Sequence, residues 1–328
     1  MYKISKKSEY FLYKYLTTGS EVDAQKIWMK YIKQYSDSIE IDNYGTVVGI
    51  INKKKPFKIV IEAHIYEISL SVNYITDDGF LYVAGGTDNN IATSKRVNIH
   101  TKNCIIDGLF VFPAIKSPNI KKFFIDIGAS NKKEVEYLGI NVGCMVTYTD
   151  DFFIMNNKYF VGSALNNKIG GFIIAEVMRL IKENKVVLPY GLYVINYVKN
   201  TKIISINPNI AIRTDVCNDT YTPMIDKKIN GYVKCGLGPV ISYSPSIHNN
   251  LREKIIDIAN KNNLDFQRLV SPICTGPDNC VIYALISIPI RYMHTTVEMA
   301  NKKDIENCIH LMFETLKSIY SHKNFKYL

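Results

Sequence analysis

The sequence predicts an α/β protein in which a mostly parallel sheet, covered by helices, is interrupted by a small barrel-like β insert. Three observations carry this expectation. β-branched runs alternate with helix-period segments at both ends of the chain, as in strand–helix–strand units that share one sheet. Between about residues 67 and 160 that alternation gives way to short strands punctuated by Gly, Asp and Asn, the pattern of an all-β domain. The 328 residues are 47% hydrophobic and 12% aromatic, enough for one large core or two moderate ones, so disorder is not expected. The predicted domains are residues 1–66 with 161–328, and an insert at 67–160.

From Glu9 to Tyr35, apolar residues recur at helical spacing (Phe11, Leu12, Tyr15, Leu16, then Ile27, Met29, Ile32) with a break at Thr17–Ser20. This predicts two amphipathic helices, the second capped by Ser20. IEIDNYGTVVGII and FKIVIEAHIYEISLSVNYI, joined by a Lys-rich turn containing Pro56, predict neighbouring strands. The insert supplies TDDGFLYVAGG, KRVNIHT, CIIDGLFVF, KKFFIDIGAS and CMVTYTD as its strands. Helical periodicity returns in SALNNKIGGFIIAEVMRLIKENK, where Gly170 and Gly171 permit close backbone approach. Strands at YGLYVINYV and NIAIRTDVC follow, then a helix at LREKIIDIANKNN, a strand at VIYALISIPIRYMHT and a closing helix at KKDIENCIHLMFETLKSIY.

Composition narrows the functional classes. No apolar run reaches the roughly 20 residues that span a bilayer. The opening stretch is too interrupted by Lys and Glu for a signal-peptide core. A cytoplasmic location without membrane contact is expected. The seven cysteines lack CxxC spacing, which argues against a disulfide framework and a zinc ribbon. Cys274 and Cys280 flank TGPDN and are expected as free thiols. The net charge of +10 is spread among Asn and Ile without a basic stripe interleaved with aromatics, so a nucleic-acid partner is not expected.

Ligands of α/β sheets gather at the carboxyl ends of the strands, which singles out His64, Asp215 and His294, each closing a β-rich run (KIVIEA, NIAIRT, ISIPIRYM). Imidazole and carboxylate together suit a borderline cation such as zinc or cobalt. Taken singly, a strand-end His is more often a satisfied or surface residue.

The order of blocks adds more. DNYGTVVG (Asp42–Gly49), EAHIYEIS (Glu62–Ser69), SALNNKIGG, LYVINYVK, NIAIRTDV, GPDN and IPIRYMHTTVE resemble, in sequence order, the signature segments of the tetrahedral aminopeptidases. These are dinuclear-metal enzymes that include glutamyl and deblocking aminopeptidases. Within the insert, TDDGFLYVAGGTD, KRVNIHTKNCIIDGLF and IDIGASNKKEVEYLGINVGCMVT continue the likeness nearly end to end. The resemblance implies a three-layer aminopeptidase-type domain with an inserted dimerisation domain. It also implies self-association from dimers to a twelve-subunit tetrahedron, with an active paralogue or another macromolecule as further partners.

Residue by residue, the resemblance places the first metal on His64, a bridge at Asn166 and Asp215, and the second on that bridge, Tyr197 and His294. It places the general base at Asn196, the support of the first histidine at Tyr66, and Asp278 and Arg291 along the substrate cleft. At four of these positions (Tyr66, Asn166, Asn196, Tyr197) the family's carboxylate is absent. An amide offers one neutral oxygen where a carboxylate bridges with two, and two divalent cations about 3.5–4 Å apart would repel with Asp215 alone between them. Tyr197 ligates only as a phenolate, from a reference pKa of about 10, and Asn196 cannot take a proton from water, a loss of ~10²–10⁴ in rate. The sequence-based expectation is an inactive pseudopeptidase acting as an oligomeric binding or structural subunit, with no cofactor or at most one divalent metal (Zn, Co or Mn). The alternative is a weak single-metal aminopeptidase using His64, Asp215 and the Asn166 oxygen.

Overall fold

The structure, a computed structural model, describes residues 2–18, 20–65, 69–85, 94–111, 123–149, 151–198, 205–270, 281–321, 325 and 327. The chain divides into two units, one of Met1–Tyr66, Phe152–Met293 and Val297–Leu328, the other of Glu67–Asp151 with His294–Thr296.

The first unit opens with helices α1 (Lys6–Leu16) and α2 (Glu21–Lys33). Ser20 caps α2 by accepting from Asp23 N, which frees one orphan amide from the need for water. Strands β1 (Ser38–Ile41) and β2 (Val47–Ile51) form an antiparallel hairpin, and β3 (Lys58–His64) follows.

The second unit is a closed barrel of β4 (Leu70–Ile75), β5 (Leu81–Gly85), β6 (Lys95–His100), β7 (Ile105–Val111), β8 (Phe124–Asp126) and β9 (Met145–Tyr148), in the order β4-β5-β8-β7-β6-β9. Alternating residues such as Val97, Ile99, Ile125 and Val146 fill its interior, as period-2 strands require. Helix α3 (Lys132–Tyr137), which the sequence pattern did not reveal, lies between β8 and β9.

The chain returns to the first unit with β10 (Phe152–Met155) and β11 (Tyr159–Gly162), then α4 (Leu165–Glu183), β12 (Gly191–Tyr197) and β13 (Ile210–Asn218). Next come α5 (Lys227–Asn230), β14 (Val240–Tyr243), α6 (Asn249–Lys261), β15 (Gln267–Val270), β16 (Ile282–Arg291), β17 (Glu298–Asn301) and α7 (Lys302–Ser318). The insert ends at Asp151 instead of 160, because β10 and β11 pair with each other and β11 pairs with β17, extending the large sheet.

That sheet has eleven strands in the order β1-β2-β12-β3-β13-β16-β17-β11-β10, with β14 on β16 and β15 on β14. Strands β12, β3, β13 and β16 are parallel. The expectation that β2 and β3 are neighbours is corrected: β12 lies between them, antiparallel to β2 and parallel to β3. β3 is buried along almost its whole length, and parallel strands on both of its edges are what such a run demands. Helix α4 begins where its glycines leave room: a Cβ on Gly171 would stand 2.5 Å from the Tyr15 hydroxyl.

Asp304 of α7 has no exposed surface and accepts from Gly236 N and Gly238 N, each at 2.7 Å. Burial pushes its carboxyl up to about 7 despite these two donors. Since the folded value lies above the unfolded one, the stability this group supplies is complete below the ordinary carboxylate range and is lost as pH rises through about 7. The urea midpoint is expected to fall between about pH 4 and about pH 7, and Asp304→Asn is expected to shrink that fall.

Candidate active site

Parallel register carries several of the predicted residues to one edge. β3 ends at His64 and β12 at Tyr197, which face each other in the ladder, with ring centroids 6.0 Å apart. His64 Nε2 lies 3.6 Å from Asp215 Oδ1 on β13. Two residues further into the strands, Arg213 Nε and Nη2 meet Glu62 Oε1 at 2.8 and 2.7 Å, both side chains buried. The guanidinium stands 5.4 Å from the Tyr197 ring centroid and 5.9 Å from that of Tyr283. Desolvation raises the Glu62 carboxyl above its usual range, outweighing the pull of Arg213. The floor beneath His64 is therefore an ion pair capped by tyrosine rings.

Asn196 turns the other way. Successive strand residues point to opposite faces, and the fully buried Asn196 donates from Nδ2 to the Tyr15 hydroxyl at 2.7 Å and to Gln25 Oε1 at 2.8 Å. Gln25 Nε2 returns a bond to the Asn196 carbonyl at 2.7 Å. The amide at the predicted base position thus ties β12 to α1 and α2, while Tyr197 faces His64.

At the start of α4, Asn166 N donates to Glu298 Oε2 at 2.9 Å, and Asn166 Oδ1 is buried without a hydrogen-bond partner. Its neighbour Asn167 is structural: Nδ2 donates to Thr214 O at 2.9 Å and Oδ1 accepts from Gly170 N at 3.1 Å. Glu298, 2% exposed, is a site carboxylate that sequence reasoning missed; its one signal was its place at the end of the block IPIRYMHTTVE.

His294 has a left-handed backbone (φ 66) and falls in the segment that groups with the barrel unit. Arg291 Nε donates to Asp219 Oδ2 at 2.7 Å. Desolvation opposes ionisation of Asp219, but Arg291 and the backbone amides of Cys235 and Tyr221 outweigh it and hold that carboxyl below its ordinary range. Tyr66, Asp278, Cys274 and Cys280 lie outside the described residues.

Among the described residues, no three His, Cys, Asp or Glu side chains gather into a group that could hold a metal ion. Among the described residues, His64 and Asp215 approach each other as one imidazole and one carboxylate, and Glu298 is taken by the Asn166 amide, which falls short of the carboxylate-rich set that a two-cation centre uses. No metal-dependent step can be derived from these residues. Nor is any helix among the described residues long and apolar enough to cross a membrane.

A parallel-centred sheet interrupted in sequence by a closed barrel is the architecture of a class of aminopeptidases. A profile of the M42 glutamyl aminopeptidase family matches residues 45–311, and the chain belongs to that family. Lysyl aminopeptidase of Pyrococcus furiosus is 26% identical over 319 residues, covering 88% of this chain and 89% of that protein. The fold is that of the TET aminopeptidase of a marine-sediment Thaumarchaeota archaeon, with TM-score 0.88 and 24% identity, over 96% of this chain and 98% of that one. It is shared with the TET1 peptidase of Pyrococcus horikoshii, TM-score 0.82 and 23% identity, over 95% and 100% of the two chains. That peptidase can assemble into a tetrahedron or a large octahedral shell.

Proposed function

We propose that the chain is a catalytically inactive M42-family subunit, a cytoplasmic, self-associating binding or structural protein whose peptidase centre has lost its bridge, its base and one ligand. The orientation of Asn196 carries the reading. A group that activates water has to reach the reacting edge, and this one is turned into the helix layer, its Nδ2 donating to Tyr15 and Gln25. Asn166 in the bridging place, Tyr197 packed beside Arg213 and the two-donor edge at His64 and Asp215 agree with it. Self-association is supported by the assembly of the Pyrococcus horikoshii relative.

The expected result is sub-stoichiometric metal by plasma mass spectrometry and no release of N-terminal residues from peptides with added zinc, cobalt or manganese. Metal-dependent turnover abolished by His64→Ala would overturn the proposal. The single-metal alternative draws on the 3.6 Å approach of His64 to Asp215. It requires at least one tightly bound cation per chain, lost together with activity in Asp215→Ala.

A further inference from the structure

Between β13 and β14 the chain makes an excursion, residues 219–237, around the short α5. Its base is fixed. Thr220 N donates to Val233 O and Val233 N to Thr220 Oγ1, both at 2.9 Å. Asp219 accepts from Tyr221 N and Cys235 N and pairs with Arg291, and Gln267 exchanges two bonds with the Lys234 backbone. On this base stand Tyr221, Met224, Ile229, Tyr232 and Leu237, all exposed, with Ile229 at 81% and Met224 fully in solvent. Isolated exposed apolar side chains are ordinary, but five gathered on one pinned excursion mark a contact surface.

The cations of the excursion are held in place. Lys227 Nζ lies 4.2 Å from the Tyr221 ring centroid and 5.5 Å from that of Tyr232, and Lys234 Nζ lies 4.1 Å from Tyr221. The two rings meet edge to face at 6.4 Å. An ammonium resting on an aromatic face gives up little further freedom when it meets an anion. Of the two carboxylates in the excursion, Asp219 is neutralised by Arg291 and Asp226 caps α5 at Lys228 N. Lys227, Lys228 and Lys234 therefore dominate its charge.

We propose that this face docks a partner polypeptide segment that is acidic and carries apolar or aromatic side chains. Carboxylates would meet Lys227 and Lys234, and the apolar side chains would cover Met224, Ile229 and Leu237. Single-stranded nucleic acid fits less well, because bases stack on open aromatic faces, and the ammonium groups already occupy those of Tyr221 and Tyr232. Contacts between copies of this chain are the alternative occupant, which the test below separates. The inference does not depend on whether the cleft hydrolyses peptides.

The test uses the full chain and a fluorescein-labelled random glutamate–tyrosine copolymer, followed by anisotropy, with polyglutamate and poly(U) of matched length in parallel. The copolymer is expected to bind about tenfold more tightly than polyglutamate, and Lys227→Glu with Lys234→Glu to weaken it by about tenfold. Met224→Ser with Ile229→Ser should erase the advantage of the copolymer over polyglutamate. These two side chains are exposed, so this second variant decides the matter if the charge variant does not fold. Tighter binding of poly(U) than of the copolymer, unchanged copolymer affinity in the Met224/Ile229 variant, or a fall in particle mass by light scattering in that variant would each overturn the proposal. The last outcome would assign the face to contacts between copies.

Discussion

Asn196→Glu is expected to destabilise the fold by about 3–5 kcal/mol instead of restoring a general base. The side chain at 196 has no exposed surface, and its amide nitrogen faces Gln25 Oε1, an acceptor. A carboxylate there would set oxygen against oxygen, and turning Gln25 to suit it would break the bonds that Gln25 Nε2 makes to the carbonyls of Gly45 and Asn196. The side chain is fully buried, and one extra methylene in a packed core costs about 1–3 kcal/mol by itself.

The pH dependence follows from the sign. Burial would raise the folded pKa of the new carboxyl above its unfolded value, so the penalty is smallest below about pH 4 and grows as pH rises. Guanidinium denaturation at two pH values measures both effects. A variant as stable as the parent chain, or a gain of aminopeptidase activity in the combined Asn166→Asp, Asn196→Glu, Tyr197→Glu chain, would refute this account of position 196.

His64 was legible as the end of a β-rich run, whereas Asp215, read as a strand end, lies inside β13, which continues to Asn218; the pairing of Arg213 with Glu62 in the parallel ladder is what brings Asp215 within 3.6 Å of His64. Ser20 was legible for a similarly local reason, as the residue before an apolar-periodic segment. What a linear reading could not supply was the face. Asn196 and Tyr197 are adjacent in sequence, yet one belongs to the helix layer and the other to the opposite side of the sheet. Glu62 and Arg213 were hidden for another reason: a charged residue inside a β run looks solvent-facing until its partner on the next strand is known. The pairing of β2 with β12 was likewise out of reach, because a short connection between two β runs suggests a hairpin, and only the burial of both edges of β3 forbids it. The excursion at 219–237 shows no period at all, and its lysine–tyrosine contacts arise from a fold-back fixed at Thr220 and Val233.

Glu176→Ala is expected to cost about 3–5 kcal/mol, and its effect should reach Asn196 although the two side chains do not touch. Glu176, fully buried in α4, accepts from the hydroxyls of Tyr2, Ser8 and Tyr31 and from Nε and Nη2 of Arg179. Burial and the Glu176 charge push both tyrosine hydroxyls far up, so they remain neutral donors. Removing the carboxylate leaves the Arg179 guanidinium with Glu183 alone and takes the acceptor from the buried Tyr2 and Tyr31 hydroxyls, whereas Glu176→Gln keeps one acceptor and should cost about 1–3 kcal/mol. The elements released are α1 and α2, the same helices that present Tyr15 and Gln25 to Asn196. If one docking event satisfies both clusters, loosening it through Glu176 already forfeits part of what Asn196 contributes. Glu176→Ala combined with Asn196→Ala should then destabilise by less than the sum of the single changes, by about 0.5–3 kcal/mol. Strictly additive guanidinium midpoints, with unchanged hydrogen exchange in α1, would show instead that the two clusters hold the N-terminal helices independently.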